Sequence, residues 1–351
     1  MKLGLSIGYS GAQMDLPVER VQLAERLGYD AVWTAEAYGS DAVTPLAYLA
    51  AKTERIRLGT GIMQLAARTP ANAAMCAGMV DALAGGGRFI MGLGVSGPQI
   101  VEGWYGQPWG RPYWRIKDYV EICRKIWRRE EGLTHEGKEI SLPYEGEGAM
   151  GIGKPLRSIL HMNPDIPIFI GSGKEASVRL TGEIADGWLP LGFVPGSLDE
   201  YKPWLEQGFE RAKKKGVDKG WHNFEVHAGV FVDVDSDVKA AIDRLKPREA
   251  LYVGGMGHRD KNFHNDMMHR RGFGEAADRI QELYLAGHKK EAEEAVPDEW
   301  VDLKSLMGPP ARIKERYGVW EDCGATTLTV RSAQEEAVHV MAEAARLNQP
   351  R

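Results

Sequence analysis

Cysteine is scarce in this sequence, and the three present, Cys76, Cys123 and Cys323, lie far apart. Neither a disulfide framework nor a zinc site is implied, and a reducing cytoplasm is the expected location. Long apolar runs are also missing, so no segment is expected to span a bilayer. The opening MKLGLSIGYSG passes straight into a strand pattern without the layout of a signal peptide. Charge of one sign is not in excess. A formal net charge of −5 over 351 residues argues against nucleic acid or an anionic membrane as partner. No H-E-x-x-H or H-x-x-x-H pattern occurs, so no metal site is expected. No G-x-S-x-G elbow marks a nucleophilic hydrolase.

What is abundant is glycine, with 42 residues, and tryptophan, with 10, in a chain of ordinary hydrophobic content (43%). Such a mixture suits an aromatic-lined cavity with many tight turns. Buried-strand patterns recur at Lys2–Gly8, Asp30–Thr34, Arg55–Gln64, Arg88–Gly94, Ile166–Ile170, Trp188–Pro190, Phe224–Val234 and Cys323–Val330. Between them, 3.6-residue spacing predicts helices over Leu16–Leu27, Ala42–Lys52, Pro70–Leu83 under a Thr69 cap, Tyr113–Arg128, Lys174–Ala185 and Ser197–Lys215. Further helices are expected from Asp237 under a Ser236 cap, and over Ala276–Ala295, Ala311–Glu321 and Ser332–Leu347. A hairpin turning at Glu136-Gly137 interrupts the alternation. Eight strand–helix units predict an α/β fold, a (β/α)8 TIM barrel forming a single domain over 1–351, with insertions near 130–160 and 252–300. An open doubly wound sheet is the alternative.

Barrel chemistry sits where strands end and helices begin. After the fifth strand, Gly171-Ser172-Gly173 opens a helix and makes an anion cradle, most naturally for phosphate, or else a tight turn that binds nothing. After the fourth, Gly92-Leu93-Gly94-Val95-Ser96-Gly97 spells G-x-G-x-x-G. A Rossmann reading is rejected, because Pro98 follows at once and the acid about twenty positions on, Asp118, falls inside a helix. In the third strand, Gly59-Thr60-Gly61 marks a bulge, a ligand touching backbone, or a bend. Glu36, after the second strand, can orient a substrate or move a proton, or can simply pair with Arg68. Tyr9, Tyr38, Trp104, Tyr105, Trp109 and Trp114 are candidate pocket walls. His258, His264, His269 and His288, with Arg259, Arg270 and Arg271, make the late insertion basic. It can hold a ligand's acidic tail or be a solvated face.

Four stretches carry a resemblance: GYDAVWTAEAYGSDAVTPLAYLA, ERIRLGTGIMQLAARTPANAAM, GRFIMGLGVSGPQIVEGWYG and PIFIGSGKEASVRLTGEIADGW. In order and spacing the chain resembles the luciferase-like monooxygenase superfamily, within it the branch of oxidoreductases dependent on the deazaflavin coenzyme F-420. The resemblance implies hydride transfer between that coenzyme and a small organic substrate. It places a bulge, often with a non-prolyl cis peptide, at Gly61-Ile62, propping the ring. It places the cofactor phosphate at Val95, Ser96 and Gly97 and at Gly171, Ser172 and Gly173. Where some relatives carry an Asp-His pair this chain has Glu36-Ala37, so Glu36 and Glu102 are the candidate proton carriers. An FMN-dependent monooxygenase and a non-catalytic barrel of the same fold are the rival readings, and a homodimer is expected.

Overall fold

Short runs of apolar and β-branched residues form eight parallel strands. They are β1 (Lys2–Gly8), β2 (Ala31–Thr34), β3 (Arg57–Thr60), β4 (Phe89–Gly94), β5 (Ile168–Ser172), β6 (Gly187–Pro190), β7 (Glu225–Val234) and β8 (Thr327–Arg331). Every residue of β2 and β4 is buried, which accounts for their lack of apolar–polar alternation. β1 to β6 neighbour one another in chain order, β7 pairs with β6, and β8 lies between β7 and β1, so the order returns on itself as in a (β/α)8 barrel. The computed structural model describes residues 1–259 and 261–347. These fall into two compact units.

One unit comprises Gly4–Leu191 with Asp199–His227. Its helices include α1 (Val18–Arg26), α2 (Thr44–Ala50), α3 (Pro70–Leu83), α4 (Pro112–Arg128) and α5 (Glu175–Ile184). Thr69 caps α3 as expected, its hydroxyl accepting from Asn72 N at 3.3 Å, and Pro70 occupies the first turn, where a missing N–H costs nothing. The Ala185-Asp186-Gly187 junction after α5 is an electrostatic anchor. Asp186 accepts from Ile168 N at 2.9 Å, from Arg124 at 2.8 Å and from Lys219 at 2.8 Å. Burial opposes its charge, but Arg124 and Lys219 outweigh burial and hold the carboxyl below its usual range. The hairpin in the first insertion pairs His135–Glu136 with Ser141–Leu142. Asp118, from α4, accepts from Glu139 N at 2.8 Å and Ile140 N at 3.1 Å, so this acid fixes the hairpin.

Trp33, Phe169 and His227 pack on one another, with ring centroids 5.0 to 5.9 Å apart. The glycines beside them make room. A Cβ on Gly59 would overlap the Trp33 indole, and one on Gly187 would lie 2.5 Å from Phe169 Cζ. Gly59 is therefore the complement of a large ring in the neighbouring strand, a reason the sequence reading of β3 did not include.

The other unit comprises Met1–Leu3, Gly192–Leu198 and the chain from Ala228 on. Asp237, not Ser236, caps the helix Val238–Ala250, accepting from Ala240 N at 3.1 Å. The helix expected over Ala276–Ala295 is two, Gly274–Leu285 and Lys289–Glu294, broken at Gly287 with φ +87°. A strand the sequence did not reveal, Ser305–Gly308, extends β7 by pairing with Phe231–Val234. The insertion shares one core with the helix Val238–Ala250 and the strand Ser305–Gly308, in which Met268, Ile280, Trp300 and Val301 are almost fully buried.

Gly59→Ala is expected to destabilise the protein by about 1–3 kcal/mol, because Trp33 must leave its rotamer to admit one methyl group. Urea unfolding of the variant against wild type checks it. Unchanged stability would show that Trp33 does not need the space.

Candidate functional site

The third strand is interrupted just where its glycines fall. Leu58 and Gly59 pair with Phe89 and Ile90, but pairing resumes with Met63 opposite Leu93 and Gln64 opposite Gly94. One extra residue has entered β3, which is a β-bulge. The Gly61–Ile62 peptide within it is cis. On the near side, Thr60 substitutes for the ladder. Its hydroxyl accepts from Gly92 N at 2.9 Å and donates to Gly92 O at 2.8 Å. On the far side, Gln64 N donates to Glu36 at 2.9 Å, and the Gln64 amide donates to the Glu36 carbonyl at 2.8 Å.

The bulge aims Ile62 at both neighbouring strand ends. A Cβ on Gly94 would lie 2.8 Å from Ile62 Cγ1, and one on Gly171 3.0 Å from Ile62 Cγ2. Leu93 and Ile170 are in register, so Val95 and Ser172 are the next matching positions, two residues further on along each strand. The expected residues Gly61, Ile62, Val95, Ser96, Gly97, Gly171, Ser172 and Gly173 thus gather at one rim. Ser96 sits in the left-handed region with φ +58°, a conformation serine seldom adopts, and such positions concentrate at ligand-binding turns. Val95 lines a small recess with Leu65, Trp109 and Arg115.

The Ser172 hydroxyl is not free to serve an anion. Thr181 donates to Ser177 O at 2.8 Å, so its oxygen must accept from Ser172 across their 2.9 Å contact. Each hydroxyl has a single proton, and both are spent inside α5. What this turn can offer an anion is main-chain N–H at the positive end of the helix.

Glu36 is buried, and both carboxylate oxygens are engaged. Arg68 meets them at 2.8 and 2.9 Å, and Ala42 N approaches at 3.4 Å. Burial opposes the charge on Arg68, but Glu36 more than compensates and raises its pKa. The pairing with Arg68 that the sequence allowed is therefore present, and Glu36 is held as a brace between β2 and the bulge. Glu102 is exposed and accepts from Trp109 N at 3.3 Å, closing the loop after β4. Of the aromatic candidates, Tyr38 and Trp104 are at least half exposed, while Trp114 packs on Tyr113 and under Lys138. Burial and the nearby Glu36 raise the Tyr105 pKa. Gln64, which sequence reasoning passed over, keeps its buried Oε1 without a donor. Its only signal was its place beyond G-T-G-I-M.

A second cluster, Asp30, Glu225 and His227, offers ligand atoms within 4.8 Å of one another. Arg57 already bridges its carboxylates, donating to Asp30 and, at 2.8 Å, to both oxygens of Glu225. The cluster lies at the starts of β2, β3 and β7, the end of such barrels that serves stability. The late-insertion histidines do not converge. His264 packs edge-on to Tyr252, His269 meets Asp278 at 2.8 Å and His288 meets Glu291 at 2.9 Å.

A parallel β/α ring with a bulged third strand and two glycine-rich turns on one rim defines a barrel of the TIM class. Its sequence matches the family model for luciferase-like monooxygenase over residues 4–327, and the chain belongs to that family. It is 44% identical over 344 residues to a Mycobacterium tuberculosis protein with the provisional name of a coenzyme F-420-dependent oxidoreductase, covering 97% of this chain and 98% of that one. It is 27% identical to the 5,10-methylenetetrahydromethanopterin reductase of Archaeoglobus fulgidus, over 89% and 88% of the two chains. Among solved structures, the F-420-dependent tetrahydromethanopterin reductase of Methanopyrus kandleri superposes with a TM-score of 0.79 at 22% identity, over 98% and 97% of the chains. That likeness establishes the (β/α)8 fold.

Arg68→Met is expected to cost about 3 kcal/mol, since it leaves the buried Glu36 carboxylate without a counter-charge. Adding Glu36→Met should recover most of the loss. A double-mutant cycle by urea unfolding decides it, and additive losses would mean the two side chains do not act as a pair.

Proposed function

We propose that this protein is an oxidoreductase that transfers a hydride between coenzyme F-420 and a small organic substrate. The observation that carries the reading is Ile62, pushed out by the bulge and packed against Gly94 and Gly171. It presents an apolar support beside two glycine turns whose backbones can approach a ligand closely. The residues suit the group: a flat ring needs an apolar prop, and a phosphate needs amide donors without crowding side chains. The chemistry the coenzyme would supply is carriage of the hydride at C5 of its deazaflavin ring.

The chain's own residues bind and orient. Gly61 and Ile62 support the ring. Main-chain N–H groups of Val95, Ser96 and Gly97, and of Gly171, Ser172 and Gly173, hold the phosphate. In this reading Glu36 is a positioning residue, because Arg68 and the Gln64 amide fully occupy it. Glu102, open to solvent, is the acid able to exchange a proton. Three free thiols, Cys76, Cys123 and Cys323, are in keeping with a reducing cytoplasm.

A homodimer is also part of the proposal. Met75, Met79 and Leu83 stand four residues apart along α3 and are 46 to 60% exposed, a continuous apolar stripe. Light scattering should find a dimer, and Met79→Glu a monomer. A monomeric wild type would remove α3 from consideration.

The cofactor assignment is tested by titrating the protein with F-420 and with FMN while following tryptophan fluorescence. F-420 should bind at least tenfold more tightly, and Gly171→Val, which drives side-chain atoms into Ile62, should weaken it at least tenfold. If FMN binds tenfold more tightly instead, the protein is a flavin enzyme. If neither binds, it is a non-catalytic barrel.

A further inference from the structure

The unit that contains β8 holds two arginines that no acid claims. Arg331 is the last residue of β8, and Arg248 lies near the end of the helix Val238–Ala250. Both guanidiniums sit over one ring: Arg248 Cζ is 5.1 Å and Arg331 Cζ 5.3 Å from the centroid of Phe231, on β7. Arg248 also lies 4.1 Å from the ring of Tyr252. Gly229 brings bare backbone against Arg331, for a Cβ there would lie 2.8 Å from its Nη2. The nearest carboxylate in sequence, Glu249, is occupied elsewhere, by Lys304 at 2.7 Å and Trp300 Nε1 at 2.9 Å. Among the described residues, neither Arg248 nor Arg331 has a carboxylate or carbonyl partner.

The surroundings make this unusual. Arg331 is solvent-exposed, and Arg248 is half-buried beside the same ring. Crowding by the surrounding protein, with repulsion from Arg248 added, lowers the Arg331 pKa to about 10, so it stays charged at neutral pH. Two guanidiniums gathered at one aromatic ring, with no carboxylate between them among the described residues, are not explained by packing. Cation–π contact supplies about 0.5–2 kcal/mol per pair and leaves their N–H donors unspent. An oxyanion received by two guanidiniums takes up those donors and relieves the repulsion.

We propose that Arg248 and Arg331 form an oxyanion-binding site at the C-terminal ends of β7 and β8, and that the oxyanion is a carboxylate or phosphate of the substrate. The site itself stands apart from the F-420 reading. Only its assignment to a substrate rests on that reading. The site does not use Arg259, Arg270 or Arg271 of the late insertion. The site is made by one arginine before the insertion and one after it.

The test is calorimetric titration of the full chain, without coenzyme, with inorganic phosphate at constant ionic strength. The turn after β5 is also expected to take phosphate, so the readout is one binding event rather than all binding. Arg331→Gln should lose one event or weaken it at least tenfold. Arg248→Gln should do the same, and Arg279→Gln, an exposed arginine paired with Glu282, should not. Thermal melting shows which variants remain folded, and Arg248→Gln carries the test should Arg331→Gln melt early. Identical isotherms for wild type and the folded variants would overturn the site. An F-420 titration then separates the sources of the oxyanion. Unchanged F-420 affinity in Arg331→Gln supports the substrate, whereas a tenfold loss gives the site to the coenzyme's acidic tail and overturns that assignment. Should the wild type fail to bind F-420 at all, the preceding functional reading falls while the phosphate result still stands.

Discussion

A single surplus residue between Thr60 and Met63 is the constraint on which this rim depends. In a parallel strand a one-residue slip turns every following side chain to the other face. Here the slip is confined, because Thr60 closes the ladder with Gly92 before it and Gln64 resumes pairing with Gly94 after it. Ile62 is thereby expelled toward β4 and β5, where only glycines can receive it. Glycine in these strands therefore has two unrelated purposes. Gly59 and Gly187 yield to the rings of Trp33 and Phe169, while Gly94 and Gly171 yield to Ile62.

The bulge is braced by charge. Glu36 reaches from the end of β2 to the Gln64 amide, and Arg68 neutralises it at 2.8 Å. Such a pair contributes less to net stability than to uniqueness, since alternative registers would leave a carboxylate dry and unpaired. At the opposite ends of the strands, Arg57 does comparable work between Asp30 and Glu225. Burial opposes ionisation of Glu225, yet His227 and Arg57 hold its carboxyl far below the ordinary range. Both clusters contain their own counter-charges. Arg248 and Arg331 stand out because, among the described residues, no carboxylate pairs with them.

Much of this was legible in the sequence. The eight strands announced themselves because fully buried strands are apolar runs, and helix ends carried glycine or proline where backbone geometry requires it. The rim turns could be read for the same reason: Gly171-Ser172-Gly173 and Gly94-Val95-Ser96-Gly97 are local patterns. What was hidden depends on partners distant in sequence. Glu36 and Arg68 are 32 residues apart, and nothing local distinguishes a brace from a proton carrier. Asp118 was correctly refused a ribose-binding role, but that it pins a hairpin through Glu139 and Ile140 became visible only in three dimensions. The strand Ser305–Gly308 was missed because four residues, all buried, carry no period to read. The break at Gly287 was missed although glycine followed by His-Lys-Lys-Glu interrupts the apolar spacing there.

The turn after β5 shows how far residue type can mislead about role. A serine between two glycines at a helix start invites the assignment of its hydroxyl to a phosphate. Yet the proton count forbids it: Thr181 spends its proton on Ser177 O, so Ser172 must spend its own on Thr181. The side chain thus holds the turn to its helix, while the Ser172 carbonyl accepts from Trp188 Nε1 at 3.0 Å and ties it to β6. With the hydroxyl and the carbonyl both committed, main-chain amides are the donors through which the proposed phosphate contact would run. These donors have no rotamer to lose on binding, and their direction is fixed by β5 and α5 rather than by the ligand. An anion held this way reads the shape and charge of a phosphoryl group. Recognition of a particular substrate must then come from side chains elsewhere in the chain, the role proposed for Arg248 and Arg331.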